Sequence, residues 1–319
     1  MPNTLDANRS VSSRIRGLLV GEIGLVIILV LLVAAFSLAS DHFFTARNLL
    51  NITRQVSTNF IIAVGMTFLL LLGEIDLSVG STAALAGVVT AAILTATNSF
   101  ALAIFGGLLA GSAVGLTISI GVVHGKIASF IVTLAMMNIA RGIAYVWTQG
   151  HPISGLPLSF GVLGAGYVGR VPVSTIIAIV VFVISYLVLN KTKHGLYMRA
   201  IGANPEAARL SAVKIRRYRI AGFLITGLLS GLGGILITSR LLSAQPTAAM
   251  GLEIDVIAAA ILGGATLTGG IGTIVGTALG ALIIGVISNG LNLLGVSSFF
   301  QPIVKGLIIV LAIGAKRGK

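Results

Sequence analysis

Long apolar runs recur through every third of this 319-residue chain, separated by short polar or glycine-rich stretches. A hydrocarbon layer about 30 Å thick needs about 20 apolar residues per helix, because lipid cannot hydrogen-bond an exposed peptide group. Runs of that length cover residues 17–39, 100–123, 127–148, 173–190, 220–239, 271–290 and 299–315. Shorter or acid-flanked runs at 58–72, 79–96 and 253–268 bring the set to ten. The number falls to about eight if the short members are re-entrant. The pattern predicts an all-α, polytopic transmembrane helical bundle: one membrane domain over residues 17–315, with short tails at 1–16 and 316–319.

Composition agrees. Hydrophobic residues make up 56% of the chain and charged ones 9%, against roughly 25% charged in a soluble domain. The mean hydropathy is +1.07. Cysteine is absent, which removes disulfides, thiolate metal sites and cysteine nucleophiles. His42, His124, His151 and His194 are scattered without metal-ligand spacing, so neither metal nor cofactor is expected. The net charge of +13 does not point to nucleic acid, because the basic residues gather at the ends of apolar runs instead of lining one face.

Those basic residues set the orientation. Arg9, Arg14 and Arg16 precede the first run, Lys316, Arg317 and Lys319 end the chain, and residues 191–219 hold Lys191, Lys193, Arg199, Arg209, Lys214, Arg216, Arg217 and Arg219. All three clusters are expected in the cytoplasm, with six crossings before Lys191 and four after Arg219. The first run exceeds a signal peptide's apolar region of about 7 to 15 residues and lacks a clear cleavage site, so it reads as an uncleaved helix. Parity puts the glycine- and proline-rich loop 150–170 outside, where it shapes a mouth, docks a partner or simply connects.

Small residues recur every fourth position at Gly107, Gly111 and Gly115, at Gly227 and Gly231, and at Gly272, Gly276 and Gly280. This is a packing device for close helix approach. More informative are the acids. Of eight in the chain, four fall into two copies of one tripeptide, Glu74-Ile75-Asp76 and Glu253-Ile254-Asp255, each beside a shortened, glycine-rich segment. Paired interrupted segments in two halves mark a pathway, since unwound backbone is tolerated only along a cavity, and suggest two related halves with discontinuous helices. The competing reading has these carboxylates capping helices that begin at Leu77 and Val256.

In the long basic loop, Asn204-Pro205-Glu206-Ala207-Ala208-Arg209-Leu210 reads as a helix start, with proline in the first turn and Glu206 complementing the helix dipole. A short helix held between two spans would pass on a push from a cytoplasmic partner, or else lie on anionic lipid. Gly121 to Ile127 imitates a phosphate loop but has three residues between its glycines and Ile127 in place of the magnesium-binding hydroxyl, so no ATPase site is expected.

Gly65-Met66-Thr67, Ile75-Asp76-Leu77-Ser78-Val79-Gly80-Ser81 and Glu206-Ala207-Ala208-Arg209-Leu210-Ser211 resemble the monosaccharide permeases of bacterial ABC importers, a likeness covering nearly everything after about Asn48. Ser243 to Ala248 and Asn289 to Ser298 look most like the ribose-type members. The resemblance implies a multi-pass inner-membrane permease that performs no chemistry on its sugar. The implied partners are a cytoplasmic ATP-binding subunit, a periplasmic sugar-binding protein, and a second permease copy or a sibling. It places Gly202, Asn204, Glu206, Ala207, Ala208, Arg209, Leu210 and Ser211 in an ATPase-coupling loop within 191–219. Asp76, Ser78 and Gln245 fall near the pathway, where the residue reading already put Glu74, Glu253 and Asp255. Two positions depart from the family pattern: Glu74 replaces a small residue, and Ala212 stands where glycine commonly ends the loop motif. Two other readings stand beside this one: a gradient-driven transporter using the four acids, and a membrane scaffold that carries nothing.

Overall fold

The computed structural model describes residues 22–297 and 299–307. The expected N-terminal tail, residues 17–21 of the first run, residues 308–315 of the last and the C-terminal tail lie outside them. In chain order the helices are α1 (Glu22–Ala39), α2 (Ala46–Leu71), α3 (Val79–Thr97), α4 (Phe100–Ser119), α5 (Ser129–Thr148), α6 (Val162–Ala165), α7 (Val173–Lys191), α8 (Lys193–Ala203), α9 (Pro205–Leu210), α10 (Ile215–Leu241), α11 (Leu252–Leu262) and α12 (Ile274–Leu293). A π-helical turn, Ile120–His124, extends α4. One antiparallel pair, β1 (Tyr167–Val168) with β2 (Val171–Pro172), stands in the 150–170 loop. Eight of the described helices are long and apolar enough to cross a membrane: α1, α2, α3, α4 with its extension, α5, α7, α10 and α12.

Helix starts follow local chemistry. Thr45, Ser99, Thr192, Asn204 and Thr273 each precede a helix and accept an amide of its first turn through the side chain, satisfying donors that lipid could not. Two of the three short runs prove to be full-length. The run at 58–72 is the inner part of the 26-residue α2, and 79–96 is α3. The run at 253–268 does not span: α11 has 11 residues, about 16 Å of helix, and ends at Gly263 and Gly264, the latter with φ of +98°. Ten full crossings are therefore not found among the described residues.

The most apolar span is not the most buried. In α1, the most apolar span, 6% of the scored window is buried, whereas in the more polar α2 the share is 83%. Lipid solvates an apolar helix as well as protein does, so the interior goes to helices whose polar and small side chains find partners there. Thr67 and Thr277 share a hydrogen bond of 2.7 Å between α2 and α12, and Thr226 of α10 donates to the Gly65 carbonyl at 3.0 Å. The glycine ladders are packing seams, as expected. Gly111 of α4 lies directly on the backbone of Gly227 and Gly231, and Gly280 of α12 lies on Ala259 of α11.

A Cβ at Gly111 would meet the Gly231 Cα at 2.9 Å and its amide nitrogen at 3.0 Å, atoms that cannot rotate aside. Gly111→Val should therefore destabilise the bundle by about 1–3 kcal/mol. Thermal unfolding in nanodiscs would show a lower midpoint, and an unchanged midpoint would mean that the seam is not tight.

Candidate functional site

The two acidic tripeptides do not share a conformation. Glu74-Ile75-Asp76 is an extended turn between α2 and α3, while Glu253 and Asp255 lie on the first turn of α11. The helices begin at Val79 and Leu252, not at Leu77 and Val256, so none of the four carboxylates is an N-cap. Gly80, in the first turn of α3, abuts the Ala249 carbonyl, and a Cβ there would sit 2.7 Å from Glu253 Oε2. Only a residue without a side chain allows the two helix starts to touch.

Three of the four acids have a direct partner. The buried Glu74 carboxylate meets Arg219 Nε at 2.9 Å, an ion pair off the hydrogen-bond direction that links the turn after α2 to the early part of α10. Asp76, also buried, accepts the Ser78 amide at 2.7 Å and the Ser78 hydroxyl at 2.6 Å, which closes the turn that launches α3. Glu253 lies beside Gly80 and forms no ion pair within 4 Å among the described residues. Arg141 of α5 donates to the carbonyls of Pro246 and Ala248 at 2.6 and 2.7 Å. Asp255 accepts Lys305 Nζ at 2.7 Å. Gln245 is exposed in the turn clamped by Arg141, and its carbonyl accepts the Ala248 amide.

On the other side of the Glu74 turn stands the hairpin of α8 and α9. Asn204 Oδ1 accepts the Ala207 amide at 3.0 Å and Pro205 fills the first helical position. Glu206 and Arg209 form a two-pronged pair, Nε to Oε2 at 3.0 Å and Nη2 to Oε1 at 2.5 Å. The Arg209 hydrogen bonds hold the Glu206 carboxyl below its usual range. Ala208 is buried against the bundle; Ala207, Arg209, Ser211 and Leu210, the last 75% exposed, face outward. Ala212 adopts φ of +59°, the left-handed conformation that costs a Cβ-bearing residue about 1–2 kcal/mol and glycine nothing. That is a physical reason for glycine at this position.

Gly202 joins the hairpin to the core. Its Cα rests on the Leu71 carbonyl at the end of α2 and on the Gly269–Gly270 backbone after α11, and Gly270 donates its amide to that same Leu71 oxygen at 3.0 Å. Displacing the hairpin therefore displaces the residues just before Glu74 and just after α11.

One group of residues escaped the sequence reading. Asn48, Asn51, Arg54 and Gln55 of α2, Arg240 of α10, and Asn289 and Asn292 of α12 line a cavity of about 400 Å³ at the opposite end of the bundle from the hairpin. Asn48 and Asn289 exchange amide hydrogen bonds of 2.9 Å in both directions. The polar residues at 46–57 kept the apolar run from starting before residue 58. Their spacing of three, three and one along the chain, with Asn289 and Asn292 three apart on α12, was the available sign of one polar helix face.

Glu74→Gln should leave Arg219 charged beside a neutral amide and lower stability by about 1–3 kcal/mol, discounted because Arg219 is part-exposed. The double change Glu74→Gln with Arg219→Gln should recover most of the loss. Equal stabilities for wild type and single variant, measured by thermal unfolding in nanodiscs, would show that the pair is not coupled.

Residues 48–313 match the family described as Branched-chain amino acid transport system / permease component. The chain is 44% identical over 293 residues to the ribose import permease protein RbsC of Bacillus subtilis, covering 91% of each chain. It is 45% identical over 291 residues to RbsC of Escherichia coli K12, covering 90% of this chain and 91% of that one. The L-arabinose ABC transporter permease protein AraH of Azospirillum brasilense is 39% identical, over 92% of this chain and 87% of its own. No solved structure matches. With eight apolar helices and a family match over most of its length, the chain belongs to this permease-component family and is a multi-pass protein of the inner membrane.

Proposed function

We propose that this chain is the permease subunit of an ATP-binding cassette importer for a monosaccharide of the ribose or arabinose kind. A separate cytoplasmic ATP-binding subunit drives it, and a periplasmic binding protein delivers the sugar. The relatives named for ribose and L-arabinose import support the substrate class. The observation that carries the mechanism is the Gly202 junction, where backbone rests on backbone. A load taken up by Glu206, Ala207, Arg209, Leu210 and Ser211 on the exposed face of α9 passes through Gly202 and the buried Ala208. It arrives at the end of α2, beside Glu74, Asp76 and Ser78, and at the turn after α11, whose far end carries Glu253 and Asp255.

A neutral sugar asks for hydroxyl-compatible groups and no net charge, which suits Glu74 and Asp255, already paired with Arg219 and Lys305. A gradient-driven carrier needs acids free to exchange ions, which those two pairs disfavour. The chain has no ATPase site of its own on this reading. Gly121 to His124 belong to a π-helical turn, not to a loop whose amides could cradle phosphate. The permease works as a pair of copies. Asn138 of α5 is exposed and its amide bonds only its own helix, at the Leu134 carbonyl. An exposed polar group on a spanning helix calls for a wet cavity or a second subunit beside it.

Reconstitution with the ATP-binding subunit and the loaded binding protein should give ATP-dependent sugar uptake that an uncoupler does not abolish. Uptake that persists without the ATP-binding subunit but collapses with an uncoupler would favour the gradient-driven reading, and no flux at all would leave a scaffold. Glu206→Arg destroys the pair with Arg209 and should sharply reduce co-purification of the ATP-binding subunit while membrane insertion is unchanged. Retained binding and full transport would remove Glu206 from the coupling surface.

A further inference from the structure

At the hairpin end of the bundle a cavity of about 450 Å³ lies between the start of α8 and the start of α10. Its walls carry three cations, Lys193, Lys214 and Arg217, and no carboxylate. The ion pairs among the described residues join other groups, so none of the three is neutralised within the chain. A neighbouring cavity of about 560 Å³ shares the wall of Val213, Lys214 and Arg217 and adds Arg209 and Arg216. Of these bases only Arg209 has a carboxylate partner among the described residues, its neighbour Glu206.

An aromatic stack holds the first cavity in shape. The Tyr218 hydroxyl is 3.1 Å from His194 Nδ1, and the two ring centroids are 5.9 Å apart. Tyr197 meets the Tyr218 ring edge to face at 5.7 Å. These contacts tie α8 to α10. In the tautomer where the tyrosine hydroxyl donates to Nδ1, the imidazole proton sits on Nε2 and adds a donor to those of the lysines and the guanidinium.

The depth of the cavity says what kind of anion it meets. Lys193 and His194 follow directly on the spanning helix α7, and Arg217 and Tyr218 lie in the first turn of the spanning helix α10. At that level the anionic inner leaflet presents phosphodiesters to lysine and arginine, and tyrosine favours the same interface. Leu196, in the same turn of α8, is exposed, which a bilayer boundary tolerates better than bulk water does.

We propose that this cavity is a headgroup socket for an anionic phospholipid of the inner leaflet, with Lys193, Lys214 and Arg217 gripping the phosphate. The inference goes beyond the importer reading and does not rest on it, since the charges and their depth stand whatever the protein carries. A lipid seated there would join α8, the segment after α9 and the foot of α10, which the aromatic stack alone links on that side.

The test titrates the purified full chain in detergent with phosphatidylglycerol and with phosphatidylcholine, and counts bound lipid by native mass spectrometry. The wild type should prefer phosphatidylglycerol, and the preference should shrink as salt rises. Lys193→Gln with Lys214→Gln and Arg217→Gln should weaken phosphatidylglycerol binding about fivefold per charge, about a hundredfold in all. Lys193→Arg with Lys214→Arg and Arg217→Lys keeps the charges and should keep the binding. Should the triple glutamine variant not fold, Lys193→Gln with Lys214→Gln, both exposed side chains, should still lose about 25-fold. Lys316→Gln with Arg317→Gln and Lys319→Gln removes as many charges from another basic cluster and should cost far less. An equal loss in that control would reveal diffuse attraction in place of a socket, and an equal loss in the charge-keeping variant would trace the defect to shape; either overturns the proposal. Unchanged binding by the glutamine variants overturns it too. Displacement of the lipid by inorganic phosphate or ATP at equal concentration would reassign the cavity to a soluble phosphate. Loss of the co-purifying ATP-binding subunit with lipid binding unchanged would reassign it to a protein partner.

Discussion

Inside a bilayer an unpaired peptide group or carboxylate has no water to fall back on, so every break in a helix must be satisfied by protein. The bundle has two such breaks at its interior, the turn between α2 and α3 and the start of α11, and they are satisfied by each other's surroundings. Ser78 closes the first around Asp76, and Arg141 holds the two carbonyls that lead into the second. Gly80 lets the two helix starts touch. The surrounding long helices and their glycine seams hold this junction in register. A bulky residue at a seam would separate the pairs even though it touches no acid.

The same constraint explains what was legible in the sequence. Apolar length alone located six of the eight spans, because a 30 Å layer leaves little freedom in helix length, and the other two, α2 and α3, showed only as short runs. The hairpin was legible too: Asn204, Pro205 and Glu206 spell a helix start whatever surrounds it. Residues 253–268 misled because their hydropathy resembles that of a span, while two glycines with positive φ at 264 and 269 end any chance of continuous helix. The partners of the acids were not legible. Arg219 lies far along the chain from Glu74 and Lys305 far from Asp255, and no local rule connects them.

The polar half of α2 shows where hydropathy fails most instructively. Arg47, Asn48, Asn51, Arg54 and Gln55 lower the apolar score of residues 46–57, yet the helix is continuous there and Asn48 is buried. A window average cannot tell a loop from a helix whose polar face looks at another polar face. The distinction lies in Asn289, which answers Asn48 from 241 residues away.

On the proposed coupling route, motion of the hairpin would pass through the backbone contacts at Gly202 and reach the turn that the Glu74–Arg219 pair holds. Breaking the Glu74–Arg219 pair during such motion would strand a buried carboxylate, which makes the pair a restraint on how far the α2–α3 turn travels relative to α10. At the other end no carboxylate pairs with Arg54 or Arg240 among the described residues, and the amides of Asn48 and Asn289 answer each other across the cavity that both arginines line.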